Sequence, residues 1–265
     1  IDSQQHWEDS INADYDEREK RDNEQKDNRQ QVDDRDTQQR PLLFRCHNAG
    51  ALLTEPKLKS EAGQLSQTAK TMIEAMWLKN TFGYREIVTT DAMTKGLRLE
   101  QESMALAQQV LGGAFRSKNR ETFKNEFIIG TPDIILTDYV EDIKTCYNLR
   151  TFFEAEPTKL YLTQAQCYMA LTGRKYYRLI YCLVPNTDDA IIKECERVAW
   201  QYGRDYENQD YIDHCTQIKL NNDCIKSIPP MQRVKIFEFS YDESVMDMLY
   251  KKVELGREYY LTLKL

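Results

Sequence analysis

Residues 127–145 leave the chain few ways to fold. Three short apolar runs, Phe127-Ile128-Ile129, Ile134-Ile135-Leu136 and 139–145, are separated by Gly130-Thr131-Pro132 and Thr137-Asp138. Runs this short, rich in β-branched and aromatic residues and broken by Gly, Pro and Asp, read as strands joined by tight turns. Two of the strands carry acids. Asp133 opens the second run and Asp142 lies near the end of the third, so antiparallel pairing brings their carboxylates onto neighbouring backbones, where they can share one ion. Asp142 and Lys144 are two apart on one strand, so their side chains leave the same face while Ile143 faces the core. This spacing predicts an ammonium beside a metal-binding carboxylate pair. An isolated Asp-x-Lys is most simply an exposed face of alternating charge. Gly-Thr-Pro-Asp followed by Asp-x-Lys, both inside apolar strands, favours a site.

Helical signals flank these strands. Ser66 is placed to cap a helix over 66–81 with Met72, Ile73, Met76 and Trp77 on its apolar face and Gly83 ending it. Asp91 reads as the cap of a second helix running to about Gly112, with Leu97, Met104 and Ala107, or Leu106, Val110 and Leu111, as core contacts. That helix carries Glu100 and Glu102. A mid-helix glutamate is ordinarily solvated, but the Asp133/Asp142 pair lacks one further carboxylate. Glu100, after Gly96-Leu97-Arg98-Leu99, is the expected metal or water ligand, with Glu102 as its substitute.

Arg116, Lys118, Arg120 and Lys124 form a basic run ahead of the first strand. It is either a solvated loop or a set of phosphate contacts beside a metal. After Lys144, residues 148–154 read as a short helix and 158–171 as a longer one closed by Gly173. Within the longer helix Gln164 and Tyr168, four apart, share a face. Polar residues in a core-like helix need partners, which a neighbouring loop or a DNA strand with a metal would supply. Residues 175–184 read as a strand ended by Pro185, 188–202 and 206–224 as helices, 234–239 as a half-buried strand, and Asp242 as the cap of a last helix. The core order αβββαβ with mixed strand pairing is an α/β architecture.

Charge is distributed unevenly. Residues 1–40 carry 13 acids against 7 bases, leaving 30 against 29 in the other 225 residues. The net charge of −7, which counts against a nucleic-acid partner, therefore belongs largely to this segment. Almost devoid of apolar side chains after Tyr15, it is expected to be a disordered or partner-dependent tail. Trp7, Ile11 and Tyr15 would form an apolar stripe if it turned helical. Pro41 marks the boundary of a folded body over 41–265, with its core at about 64–185 and a C-terminal strand and helices over 187–265. No apolar run is long enough to cross a bilayer, and no signal-peptide pattern opens the chain. Seven scattered cysteines without a C-x-x-C pair argue for reduced thiols and against zinc or a disulfide framework. The setting expected is cytoplasmic, with no membrane partner.

Glu100 on a helix, then Gly130-Thr131-Pro132-Asp133, then Asp142-Ile143-Lys144, then Gln164-x-Gln166-x-Tyr168 is an order that resembles the PD-(D/E)xK nuclease superfamily. Within it the chain is similar to the YqaJ-like viral recombinases, the family of phage lambda exonuclease. The likeness covers roughly 42–185 and, weakly, 229–239. It implies a restriction-endonuclease-like core, αβββαβ, with a mixed central sheet flanked by helices. It also implies that Glu100, Asp133, Asp142 and the backbone carbonyl of Ile143 surround Mg²⁺, that Lys144 orients or activates the attacking water, and that Gln164 or Gln166 helps hold the site. Asp142 stands where the family often has Glu. Some relatives hold an iron–sulfur cluster on four cysteines; the cysteines here show no such grouping, and no cluster is expected.

The function this implies is a DNase dependent on Mg²⁺ (or Mn²⁺), hard ions that oxygen ligands select over zinc. It would be a 5′-to-3′ exonuclease on double-stranded ends in phage-type recombination, repair or replication, with Arg116, Lys118, Arg120 and Tyr168 as nucleic-acid contacts. The alternatives are an endonuclease or single-strand nuclease using the same site, or a non-catalytic DNA-binding or virion-associated protein that keeps the fold. DNA is the expected partner. A single-strand annealing recombinase or other phage protein could dock on residues 1–40, and the family points to a homo-oligomer. A phage-encoded protein would work in the host cytoplasm, with virion association as the other possibility.

Overall fold

The structure, a computed structural model, describes residues 41–265; residues 1–40, with the Trp7, Ile11 and Tyr15 stripe, lie outside the described residues. The body opens with strand β1 (Phe44–Arg45) and the single-turn helix α1 (Cys46–Ala49), followed by helix α2 (Gln67–Phe82). Ser66 caps α2 by accepting a hydrogen bond from Ala69 N, and Gly83 ends it in the left-handed conformation, as expected from sequence.

The expected second helix is two helices. Thr90, not Asp91, is the cap of α3 (Asp91–Arg98), and Leu99, with φ −107° and ψ 21°, breaks the helix before α4 (Glu100–Leu111). Burial accounts for the break. Lys95 is turned inward and donates to the carbonyls of Tyr147 and Val184, while Leu97, expected in the core, is exposed. Glu100 therefore lies in a first helical turn rather than mid-helix.

Strands β2 (Phe123–Lys124), β3 (Ile128–Gly130), β4 (Ile134–Ile135) and β5 (Tyr139–Thr145) follow. Next come helices α5 (Leu149–Phe153) and α6 (Lys159–Thr172), strand β6 (Tyr176–Cys182), helices α7 (Asp188–Ala199) and α8 (Gln209–Ser227), strand β7 (Val234–Ser240) and helix α9 (Glu243–Thr262). The three expected strands of 127–145 do not lie side by side in one sheet. β3 pairs in parallel with β1 and antiparallel with β2, whereas β4, β5, β6 and β7 form a second, mixed sheet in that order. The chain thus changes sheets at Gly130-Thr131-Pro132-Asp133.

The larger sheet is covered on both faces. On one side Ile143, Ile180 and Cys182 pack with Leu99, Leu106 and Ala107 around α4. On the other, α6 crosses the sheet, and its residues from Thr163 to Met169 are all buried. α6 is enclosed because α1 and α9 pack against it as well. Gly130 sits where this packing is tightest, since a Cβ there would come within 2.6 Å of both Cys46 Sγ and Tyr168 Cε1. All seven cysteines are unbridged, and only Cys224 is exposed. Among the described residues, no helix is long and apolar enough to cross a membrane.

Candidate active site

The pairing of β4 with β5 matches Ile134 to Glu141 and Ile135 to Val140. Continuing this register by one residue sets Asp133 across from Asp142, near enough for each carboxyl group to act on the other. Asp142 is 1% exposed, and Lys144 Nζ lies 2.7 Å from its Oδ2. That approach is close but off the direction of a hydrogen bond, so Oδ2 is buried without a directed donor. The Tyr177 hydroxyl, also buried and unpartnered, lies beside Asp142.

The charges on this pair are unequal. Burial and the neighbouring Asp142 push the Asp133 carboxyl up to about 8. Asp142 is itself opposed by burial, but Asp133, Lys144 and Tyr177 around it hold it below the usual carboxylate range. Burial would lower Lys144, yet the two carboxylates keep it above its ordinary value. Near neutral pH the pair carries a single proton, shared by two acids that repel one another. Its other stable partner would be a cation. Two buried carboxylates with one orphaned oxygen are a hard donor set that fits Mg²⁺ or Mn²⁺.

The loop carrying Asp133 is held at each carbonyl. Tyr168 Oη donates to Thr131 O at 3.3 Å, Asn119 Nδ2 to Pro132 O at 3.0 Å, and Asn119 N to Asp133 O at 2.6 Å. Gln164 Nε2 donates to Tyr168 Oη at 3.2 Å, which completes a relay from α6 to the loop. Gln164 is thereby linked to the Asp133 loop. Gln166 faces elsewhere, donating to Ser240 O and accepting from Asp242 N, and so joins β7 to α9. Of the two expected glutamines, the structure brings Gln164 and not Gln166 to the Asp133 loop.

Other expected residues sort differently. Arg116 is not available to a phosphate: it is buried, with Nε 2.7 Å from Glu141 Oε2 and Nη2 3.1 Å from Oε1. A fully buried carboxylate needs such a partner, and Arg178 adds a second, 3.3 Å from Glu141 Oε1. Tyr168 is likewise buried and braces the loop from within. Arg120 and Lys124 are exposed, as is Glu102. Glu100 is not gathered with Asp133 and Asp142. Both its oxygens are taken by Lys118, at 2.5 and 2.6 Å. Among the described residues, no group of three or more His, Cys, Asp or Glu side chains is close enough to hold a metal ion.

Sequence reasoning missed Asn119, which hides inside a basic run, and Glu141, whose burial only its two arginines explain. It also passed over His47 in α1, which the surrounding protein and then Arg45, Lys144 and Lys79 hold below its ordinary pKa. Arg45 is exposed, so positive charge continues outward from Lys144.

No protein-family model matches the sequence, and no curated protein is similar to it. Solved structures are. The chain is similar to a phage-related exonuclease from Haemophilus somnus 129PT, with 24% identity and a TM-score of 0.66 over 83% of this chain and 94% of that one. It is also similar to an alkaline exonuclease, LHK-Exo, from Laribacter hongkongensis, with 14% identity and a TM-score of 0.56 over 83% and 88% of the two chains. A structure of LHK-Exo in complex with dAMP matches with 15% identity and a TM-score of 0.53 over 83% and 91%. At these identities the likeness establishes the fold, a mixed α/β arrangement flanked by helices.

Proposed function

We propose that the protein is a DNA exonuclease of the PD-(D/E)xK superfamily that requires Mg²⁺ or Mn²⁺ and works 5′-to-3′ from double-stranded ends. The observation that carries this reading is the Asp133–Asp142 contact with Lys144 2.7 Å from Asp142. The resemblance in residue order and the exonuclease folds similar to this one support it.

Asp133 and Asp142 would hold the cation, with the Ile143 carbonyl and Glu100 as the further ligands that the resemblance implies. A divalent ion bound there supplies Lewis acidity toward water and toward the scissile phosphoryl group. The remaining work falls to the chain. Lys144, 28% exposed and lying over the Tyr161 ring at 5.2 Å, has its ammonium at the mouth of the site, where it can orient the attacking water and keep it close to the phosphate. Asn119, Tyr168 and Gln164 fix the backbone of the Asp133 loop, so that its carboxylate needs little reorganisation.

End-labelled linear duplex and closed circular duplex, each with Mg²⁺ or with EDTA, test the reading. Release of labelled mononucleotides from 5′ ends with Mg²⁺, with the circle left intact, is expected. Rapid loss of the circle would make the enzyme an endonuclease, and degradation that Asp133→Ala leaves untouched would remove the site.

A further inference from the structure

Glu100 is engaged by Lys118 and is not gathered with the Asp133–Asp142 pair. Lys118 Nζ lies 2.5 and 2.6 Å from its two carboxylate oxygens, and both partners are partly open to solvent, at 49% and 35%. Such exposed pairs are weakly held. The same lysine belongs to the other side of the site too. It precedes Asn119, whose N–H holds Asp133 O, and its positive charge acts on Asp133, opposing the burial that raises that carboxyl.

The backbone around Lys118 is fixed at two points. Arg116 is anchored by Glu141, the residue before Asp142, and its N–H by Gln108 Oε1; Asn119 is anchored on Pro132 and Asp133. Between these anchors the lysine side chain is the part that can swing. Gly112 and Gly113, both with positive φ, turn the chain out of α4 and bring this loop back toward Glu100 at the start of the same helix.

We propose that Lys118 is a latch on Glu100. Its ammonium occupies both oxygens of the carboxylate; a divalent cation at the Asp133–Asp142 pair would compete for Glu100, and the ammonium released from it would be free to meet a DNA phosphate. An ammonium and a divalent cation compete for the same oxygens, and the divalent ion prevails on charge once several carboxylates share it. The inference rests on the reading of the pair as a cation site. It goes further in making cation occupancy and presentation of a phosphate contact one event.

Mn²⁺ binding to the full chain without DNA, followed by electron paramagnetic resonance, tests this in the wild type, Lys118→Met, Glu100→Gln and the double variant. Lys118 is half exposed, so its replacement leaves the core intact. Lys118→Met is expected to tighten Mn²⁺ binding about three- to fivefold, the order of an exposed ion pair. That gain should vanish in the Glu100→Gln background. An equal gain in both backgrounds would mean only that a nearby positive charge was removed, and would overturn the latch. So would unchanged or weakened binding in Lys118→Met. Mn²⁺ that binds through Asp133 yet is indifferent to Lys118 overturns the latch and leaves the nuclease reading standing; no Mn²⁺ bound by any variant overturns both. As a second readout, acetylation of Lys118 by an amine-reactive reagent should rise when Mg²⁺ is added, and a fall or no change counts against release.

Discussion

Asp142 is the residue on which the proposed site turns. It is buried, it faces Asp133, and the ammonium of Lys144 lies 2.7 Å from its Oδ2. Asp142→Asn keeps the shape and removes the charge, so it separates chemistry from folding. Cleavage of linear duplex is expected to fall at least about a hundredfold, the scale of losing one electrostatic contributor to a transition state. Circular dichroism should report an unchanged fold. Residual activity near the wild-type level would shift the chemistry to another acid. The juxtaposition of Asp133, Asp142 and Lys144 was legible in the sequence, because period two puts Asp142 and Lys144 on one face and antiparallel pairing brings Asp133 across from Asp142. Arg116 could not. A basic run looks solvated until the buried Glu141 that it neutralises is known, and that acid lies 25 positions away.

Among elements, the clearest consequence belongs to Gly130. A methyl group there would press on α1 and α6 together, since Cys46 Sγ and Tyr168 Cε1 both stand 2.6 Å from the position of its Cβ. Gly130→Ala is expected to cost about 1–3 kcal/mol in denaturant unfolding, as overpacking does, and to weaken cleavage by displacing Tyr168 from the Asp133 loop. A neutral substitution would mean that α6 yields easily. Lys95 makes a different element-level prediction. Buried, it fastens α3 to the chain beyond β5 and β6 through the Tyr147 and Val184 carbonyls, and burial lowers its pKa from 10.5 to about 8. Between those two values the unfolded chain holds a proton that the folded one lacks, so stability should rise with pH across that window. Melting temperatures of the wild type relative to Lys95→Met, from pH 8 upward, check the sign. Most helix ends were legible: Ser66, Asn148, Thr158 and Asp242 are caps, and Gly83 and Gly173 are stops. The break at Leu99 was not, because no Gly or Pro marks it and a buried lysine decides it. Nor was the assignment of β3 to a separate sheet, since its parallel partner β1 lies more than 80 positions upstream.

For the whole molecule, charge is the governing quantity. The segment 1–40 carries a net of −6 out of the total of −7, so the rest of the chain is nearly neutral. Removing that segment is expected to tighten non-specific DNA binding at low salt. The gain should fade above about 0.15 M, where charges more than about 8 Å apart are screened. Filter binding across a salt series measures this, and a gain that persists at high salt would point to contacts rather than field. The division into two sheets has its own outcome. Asp133 stands at the corner where the chain leaves the β1–β3–β2 sheet, while Asp142 and Lys144 are built into the β4–β5–β6–β7 sheet. The distance between the two acids therefore gauges how firmly the halves are joined. On gentle heating, turnover should be lost several degrees before the cooperative melt, and it should return on cooling.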